Sequence, residues 1–188
     1  MPMSILSQGN RVRRVSLDAM LCAFCLILSY LEVLIPFEGI LPFPGFRLGL
    51  CNFAVLAVFC LLSPLDAAIV SGMRILLMGM LFGTATSFYF SVLGGICSFL
   101  MLLLLRAVRT RCSFIGVSIL SAAAHNTGQM LAAVTLFGFS LIPTYLPFLL
   151  MASVLYGGLI GMLLNLAIPK LQPHFARGRS KEGDRIDP

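Results

Sequence analysis

Six apolar segments follow one another along this chain with only short polar breaks between them, and that succession limits what it can fold into. They cover residues 17–36, 48–62, 65–82, 88–105, 113–137 and 144–168. A helix rises 1.5 Å per residue, so about 20 apolar residues cross a bilayer. Five segments come close to that length, and the second is short. The proportions agree: 59% of the residues are hydrophobic and 11% charged, against roughly 25% charged in a soluble domain. Too little polar surface remains to face water on every side. The expected fold is an all-α integral membrane protein, a bundle of six transmembrane helices. Its expected domains are a tail at 1–16, a membrane domain at 17–169, and a disordered polar tail at 170–188, with Pro169 ending the sixth helix.

The net charge of +6 is concentrated in three places: Arg11, Arg13 and Arg14; Arg106, Arg109 and Arg111; and Lys170, Arg177, Arg179, Lys181 and Arg185. Six spans place all three on one side, leaving only Arg47 opposite. Basic loops stay cytoplasmic, so both termini are expected in the cytoplasm of a bacterial cell (inner) membrane. This distribution argues against nucleic acid as partner. The basic start followed by an apolar stretch resembles a signal peptide, but no A-x-A cleavage site follows, and a retained first helix is expected.

Ionisable and amide side chains inside a membrane need a reason, because insertion costs roughly 2.5–3.5 kcal/mol for each charge. Glu32, Asn52, Arg74, His125, Asn126 and Gln129 qualify, and Arg47 borders the second segment. Most fall in the outer half of the bilayer, with Arg74 near the middle of its segment. They are expected to line a pocket open to the outside, Arg47, Arg74 and His125 holding an anionic group and Glu32 a cationic or donor group. Each also has a structural reading. Glu32 pairs with Arg47 or Arg74; Arg74 bonds carbonyls near Gly72 and Gly79; His125, Asn126 and Gln129 join helices by hydrogen bonds. Asp66 reads as a helix-start charge, and the pairs Gly94-Gly95 and Gly157-Gly158 as close-packing positions.

Enzyme signatures are missing. The sequence has no G-x-x-x-x-G-K-[ST], H-E-x-x-H, G-x-S-x-G or D-D-x-x-D, so neither P-loop ATP hydrolysis nor aspartate-held diphosphate chemistry is expected. Neither a cofactor nor a metal is expected. Cys22 and Cys25 form a C-x-x-C, but no second cysteine pair or histidine cluster completes a zinc site. A role in a membrane redox complex rests on that pair alone.

Four stretches, LGLCN at 48–52, MRILLMGMLFG at 73–83, SVLGGICS at 91–98 and SILSAAAHNTGQ at 118–129, resemble the Gx transporter family, also labelled heptaprenyl diphosphate synthase component I. The likeness extends over about residues 17–171. That family is similar to the substrate-binding S components of energy-coupling-factor (ECF) transporters. The resemblance implies a six-helix protein with an outward pocket capped by the loop at 36–47. It also implies docking through an A-x-x-x-A pattern, met here by Ala19 and Ala23, onto a transmembrane coupling subunit driven by ATPases. The expected function is therefore a non-enzymatic subunit that binds a small polar molecule, such as a vitamin or cofactor precursor. The alternative is a membrane accessory protein of isoprenoid or quinone metabolism.

Overall fold

The structure is a computed structural model that describes residues 11–34, 51–82, 84–108, 113–139 and 142–183. These residues form six helices and no strand: α1 (Arg11–Leu34), α2 (Cys51–Leu61), α3 (Pro64–Phe82), α4 (Ala85–Ala107), α5 (Phe114–Phe137) and α6 (Ile142–Gly183).

Local chemistry sets the helix ends. Ser63, Pro64 and Asp66 start α3: the Asp66 N–H donates to Ser63 Oγ at 3.3 Å, and that hydroxyl donates to Asp66 Oδ2 at 2.7 Å. This reciprocal cap leaves Pro64 at the first helical position, where its missing N–H costs nothing, and Asp66 is the first-turn charge the sequence implied. Thr84 caps α4 and Ser113 caps α5, each accepting at 3.2 Å from an N–H three residues on. Gly138, with φ at +94°, ends α5 in a conformation that other residues rarely adopt.

Three helical stretches are long and apolar enough to cross a membrane: Pro64–Phe82, Ala85–Ala107 and Leu146–Leu171. The stretch Ser16–Leu31 in α1 and α2 itself are apolar but shorter. With 24 residues α5 is long enough, yet His125, Asn126 and Gln129 lower its hydropathy. Its buried residues lie between α4 and α6, its two most extensive partners. The exposed side chains of α3, α4 and α6 are largely leucine, isoleucine, valine and methionine, a surface suited to lipid rather than water.

Packing closes α2, α3, α4, α5 and α6 into a ring, and α1 lies across α2 and α3. Contacts fix the directions. Tyr30 near the end of α1 meets Phe82 at the end of α3, ring centroids 5.0 Å apart, so these two helices run parallel. Tyr89 at the start of α4 meets Thr135 near the end of α5, and those two run antiparallel. As a result Arg11, Arg13, Arg14, Arg106 and Lys170 lie toward one end of the bundle, the basic end. Tyr30, Phe82, Tyr89 and Phe137 lie toward the other, the aromatic end.

The apolar core occupies the basic half. It joins Cys25, nearly all of α2, Ala67, Val70, Leu102, Val117, Ile160, Leu164 and Ile168. Because α2 is apolar all round, it sits in the middle of the packing, with nine of its eleven residues buried. Two expected boundaries change. Helix α1 is already formed at Arg11, inside the anticipated tail. Helix α6 continues through Pro169 to Gly183, where the sequence suggested a stop and a disordered tail. A proline removes one backbone donor, and here the remaining hydrogen-bond ladder carries the helix past it.

Candidate functional site

Arg74 lies in the middle of α3 and is 5% exposed. Its Nη1 donates to Cys51 Sγ at 2.7 Å, and its Nε N–H has no partner among the described residues. Thiol sulfur is a weak acceptor, and no ion pair to Arg74 is present among the described residues. The guanidinium is also within electrostatic reach of the Cys22 and Cys25 thiols on α1. Among the described residues this buried charge is met by sulfur, a costly arrangement where water has been removed and nothing of equal strength replaces it.

Helix α2 brings the thiol to this arginine. Its 11 residues span roughly 16 Å, while the 19 of α3 span roughly 28 Å. The two are joined by the turn at 62–63, so α2 runs back along α3 from the basic end, and its first described residues lie at mid-depth. There Cys51, its first described residue, meets Arg74. Asn52, the next residue, is also buried. On α1, Ser29 is 3% exposed, and its hydroxyl is without a partner among the described residues. Tyr30 lies beside Phe82, so Ser29 falls on the aromatic-end side of Arg74.

The expected residues of α5 sit in a different setting. His125 and Gln129 face α4: Gln129 Nε2 and His125 Nε2 are 3.2 Å apart, and both lie against Gly94. Asn126 faces the other way, its amide nitrogen donating to the Leu149 carbonyl at 2.9 Å and Ser153 Oγ at 2.8 Å on α6. One turn toward the basic end, Ser98 and Ser121 hydroxyls bond at 2.7 Å between α4 and α5. Small residues bring these helices close. A Cβ on Gly128 would strike the backbone of Leu93 and Gly94, and one on Gly157 or Gly161 the backbone of Ile119 or Ile115. Of the glycine pairs, Gly94, Gly95 and Gly157 are close-packed, whereas nothing lies near Gly158. Nor does Arg74 bond backbone carbonyls near Gly72 or Gly79; its bond goes to Cys51.

Seven residues were expected to line one pocket. Asn52 and Arg74 fall at the α1–α2–α3 junction, and His125, Asn126 and Gln129 in the α4–α5–α6 seams. Glu32 belongs to the last turn of α1, but its side chain, like all of Arg47, lies outside the described residues. Ala19 and Ala23 are exposed on α1, on a face shared with Met20, Phe24 and Ile27. Sequence reading missed Cys51, Ser29, Ser98, Ser121 and Ser153. Small hydroxyls and thiols barely lower hydropathy; the usable signal was helical spacing, which puts Ser118, Ser121, His125 and Gln129 on one face of α5. Among the described residues no cluster of three or more His, Cys, Asp or Glu side chains could hold a metal ion.

The family model described as heptaprenyl diphosphate synthase component I matches residues 21–167. The chain belongs to that family. No curated protein and no solved structure matches it. In this member of the heptaprenyl diphosphate synthase component I family, the matched region runs from Leu21 in α1 to Ala167 in α6. It includes both polar groups and Ala23, and excludes Ala19 and the far end of α6.

Proposed function

We propose that the chain is a non-enzymatic, multi-pass membrane subunit that binds a small molecule entering from the aromatic end. The observation that carries this reading is Arg74: a buried arginine at mid-depth whose described partner is a thiol. Intramembrane charges left in that state mark ligand or ion pathways more often than packing devices. The basic end faces the cytoplasm by the positive-inside rule. Six crossings then put both termini inside a bacterial cell membrane, with α5 crossing behind the shelter of α4 and α6. The exposed Ala19 and Ala23 on α1 support docking against a transmembrane coupling subunit with ATPase partners, as in an ECF-type transporter, because small residues permit close helix approach. Arg74 and Asn52 hold the ligand, and His125, Asn126 and Gln129 hold the helices that frame it.

The family description favours a second reading, a membrane accessory of isoprenoid or quinone metabolism. The sequence has no D-D-x-x-D, so diphosphate transfer would belong to a partner. Native mass spectrometry of the protein, released gently from its own membranes, tests both. A polar small molecule at one per chain with copurifying ATPases supports the transporter subunit. A polyprenyl lipid or quinone, or an attached prenyl transferase, transfers the assignment to the second reading.

A further inference from the structure

The two seams of α5 are built from different kinds of hydrogen bond. Toward α6, Asn126 donates to the Leu149 carbonyl at 2.9 Å, and a backbone carbonyl only accepts. Toward α4, both buried side-chain pairs are reversible. The Ser98 and Ser121 hydroxyls are 2.7 Å apart, and either serves as donor. Gln129 Nε2 stands 3.2 Å from His125 Nε2. An amide nitrogen carries only donors, so in this arrangement the ring nitrogen accepts and the neutral imidazole holds its proton on Nδ1. Turning the amide over exchanges nitrogen for oxygen with almost no change of shape. It then offers an acceptor to a ring nitrogen that has become a donor.

Such a turn matters because the seam leaves no room for larger movement. An added Cβ on Gly94 would come within 2.8 Å of the His125 ring and 3.1 Å of the Gln129 chain, and one on Gly128 would strike the backbone of Leu93 and Gly94. His125 and Gln129 are buried, 6% and 4% exposed. Toward the aromatic end the seam closes with the exposed hydroxyl pair of Tyr89 and Thr135, 3.3 Å apart. The titratable or charged side chains described on the helices packed against α5 are Tyr89, Cys97 and Arg106 on α4, and Tyr156 and Lys170 on α6. Arg106 and Lys170 lie at the basic end. Histidine is the side chain whose charge ordinarily changes near neutral pH, and here it sits beside an amide that serves both of its charge states.

We propose that the α4–α5 seam is a proton-binding site. A proton from water joins the lone pair of His125 Nε2 and the ring becomes an imidazolium. The Gln129 amide turns over, and its oxygen accepts from the new N–H. A hydrogen bond to a charged group is roughly twice as strong as a neutral one, and that gain holds the charge in the seam. His125 binds the proton, and Gln129 is a positioning residue that acts through it. The proton is a ligand apart from the small molecule at Arg74, so either site stands if the other fails.

The test uses the full-length protein in lipid nanodiscs with isotope-labelled histidine. The sequence has 2 histidines, so His174→Gln leaves His125 as the sole signal. Solid-state NMR of the ring nitrogens reads charge and tautomer as the pH is lowered from about 8 to about 5. The expected result is a reversible single-site titration, from a neutral ring protonated on Nδ1 to a doubly protonated ring. Gln129→Leu should lower the titration midpoint by about one pH unit or more, a tenfold loss of proton affinity, and Gln129→Glu should raise it. The proton site is overturned by a ring that keeps one charge state throughout the folded part of that range, by a neutral ring protonated on Nε2, or by an unmoved midpoint in folded Gln129→Leu. Should Gln129→Leu fail to fold, an unmoved midpoint in Gln129→Glu overturns it instead.

Discussion

Asn126 and Arg74 are both buried polar side chains in the middle of apolar helices, and the protein treats them differently. Asn126 gives its amide nitrogen to a carbonyl and a hydroxyl of α6, both within 2.9 Å. Arg74 gives one N–H to a thiol and leaves another without a partner among the described residues. Around Asn126, glycines let backbones approach until a single added carbon would strike main chain. Around Arg74, the neighbouring residue of α2 is Cys51, whose thiol takes the guanidinium's N–H. A polar group whose hydrogen bonds are met inside the protein stiffens a seam; one whose bonds are left short is available to something else.

If that contrast holds, substitutions in the two regions should differ in what they damage. Gly128→Leu has the largest expected effect. It drives a side chain into the backbone of Leu93 and Gly94 and should cost about 3 kcal/mol or more, seen as lost folded yield in detergent. Asn126→Leu should lower stability by about 1–2 kcal/mol, since it removes two bonds and leaves Ser153 and Leu149 to each other. Ser98→Ala should cost about 0.6 kcal/mol through the Ser121 bond; thermal unfolding measures both, and ligand occupancy should stay near wild type. Arg74→Met should cost little stability, because an apolar chain replaces a buried charge that has no counter-charge among the described residues, while ligand occupancy falls away. An Arg74→Met protein that unfolds as easily as Asn126→Leu, with its ligand retained, would break the comparison. His125→Ala sharpens it: a stability loss with binding intact places His125 in the frame, and lost binding at wild-type stability returns it to the site.

Much of the fold was legible in the residues themselves. Apolar run length, the three basic groups and turn chemistry such as Ser63-Pro64 and Gly138 are local signals, and the six helices follow them closely. The end of α6 was less legible, because Pro169 looked like a stop. The site was legible only as a set of costly residues. Hydropathy identifies Arg74 and His125 as expensive to bury, but does not say who faces them.

The sequence by itself determined that the chain is helical, apolar enough for a membrane, and asymmetric in charge from end to end. These properties depend on residue type and spacing along one strand of chain. Only the tertiary structure decided that His125 and Asn126, neighbours in sequence, serve opposite seams, and that the thiol of Cys51, 23 residues away in sequence, meets Arg74. Successive residues of a helix point about 100° apart, so adjacent positions meet different partners. Which partners they meet is set by the order of helices around the ring, which no local pattern records.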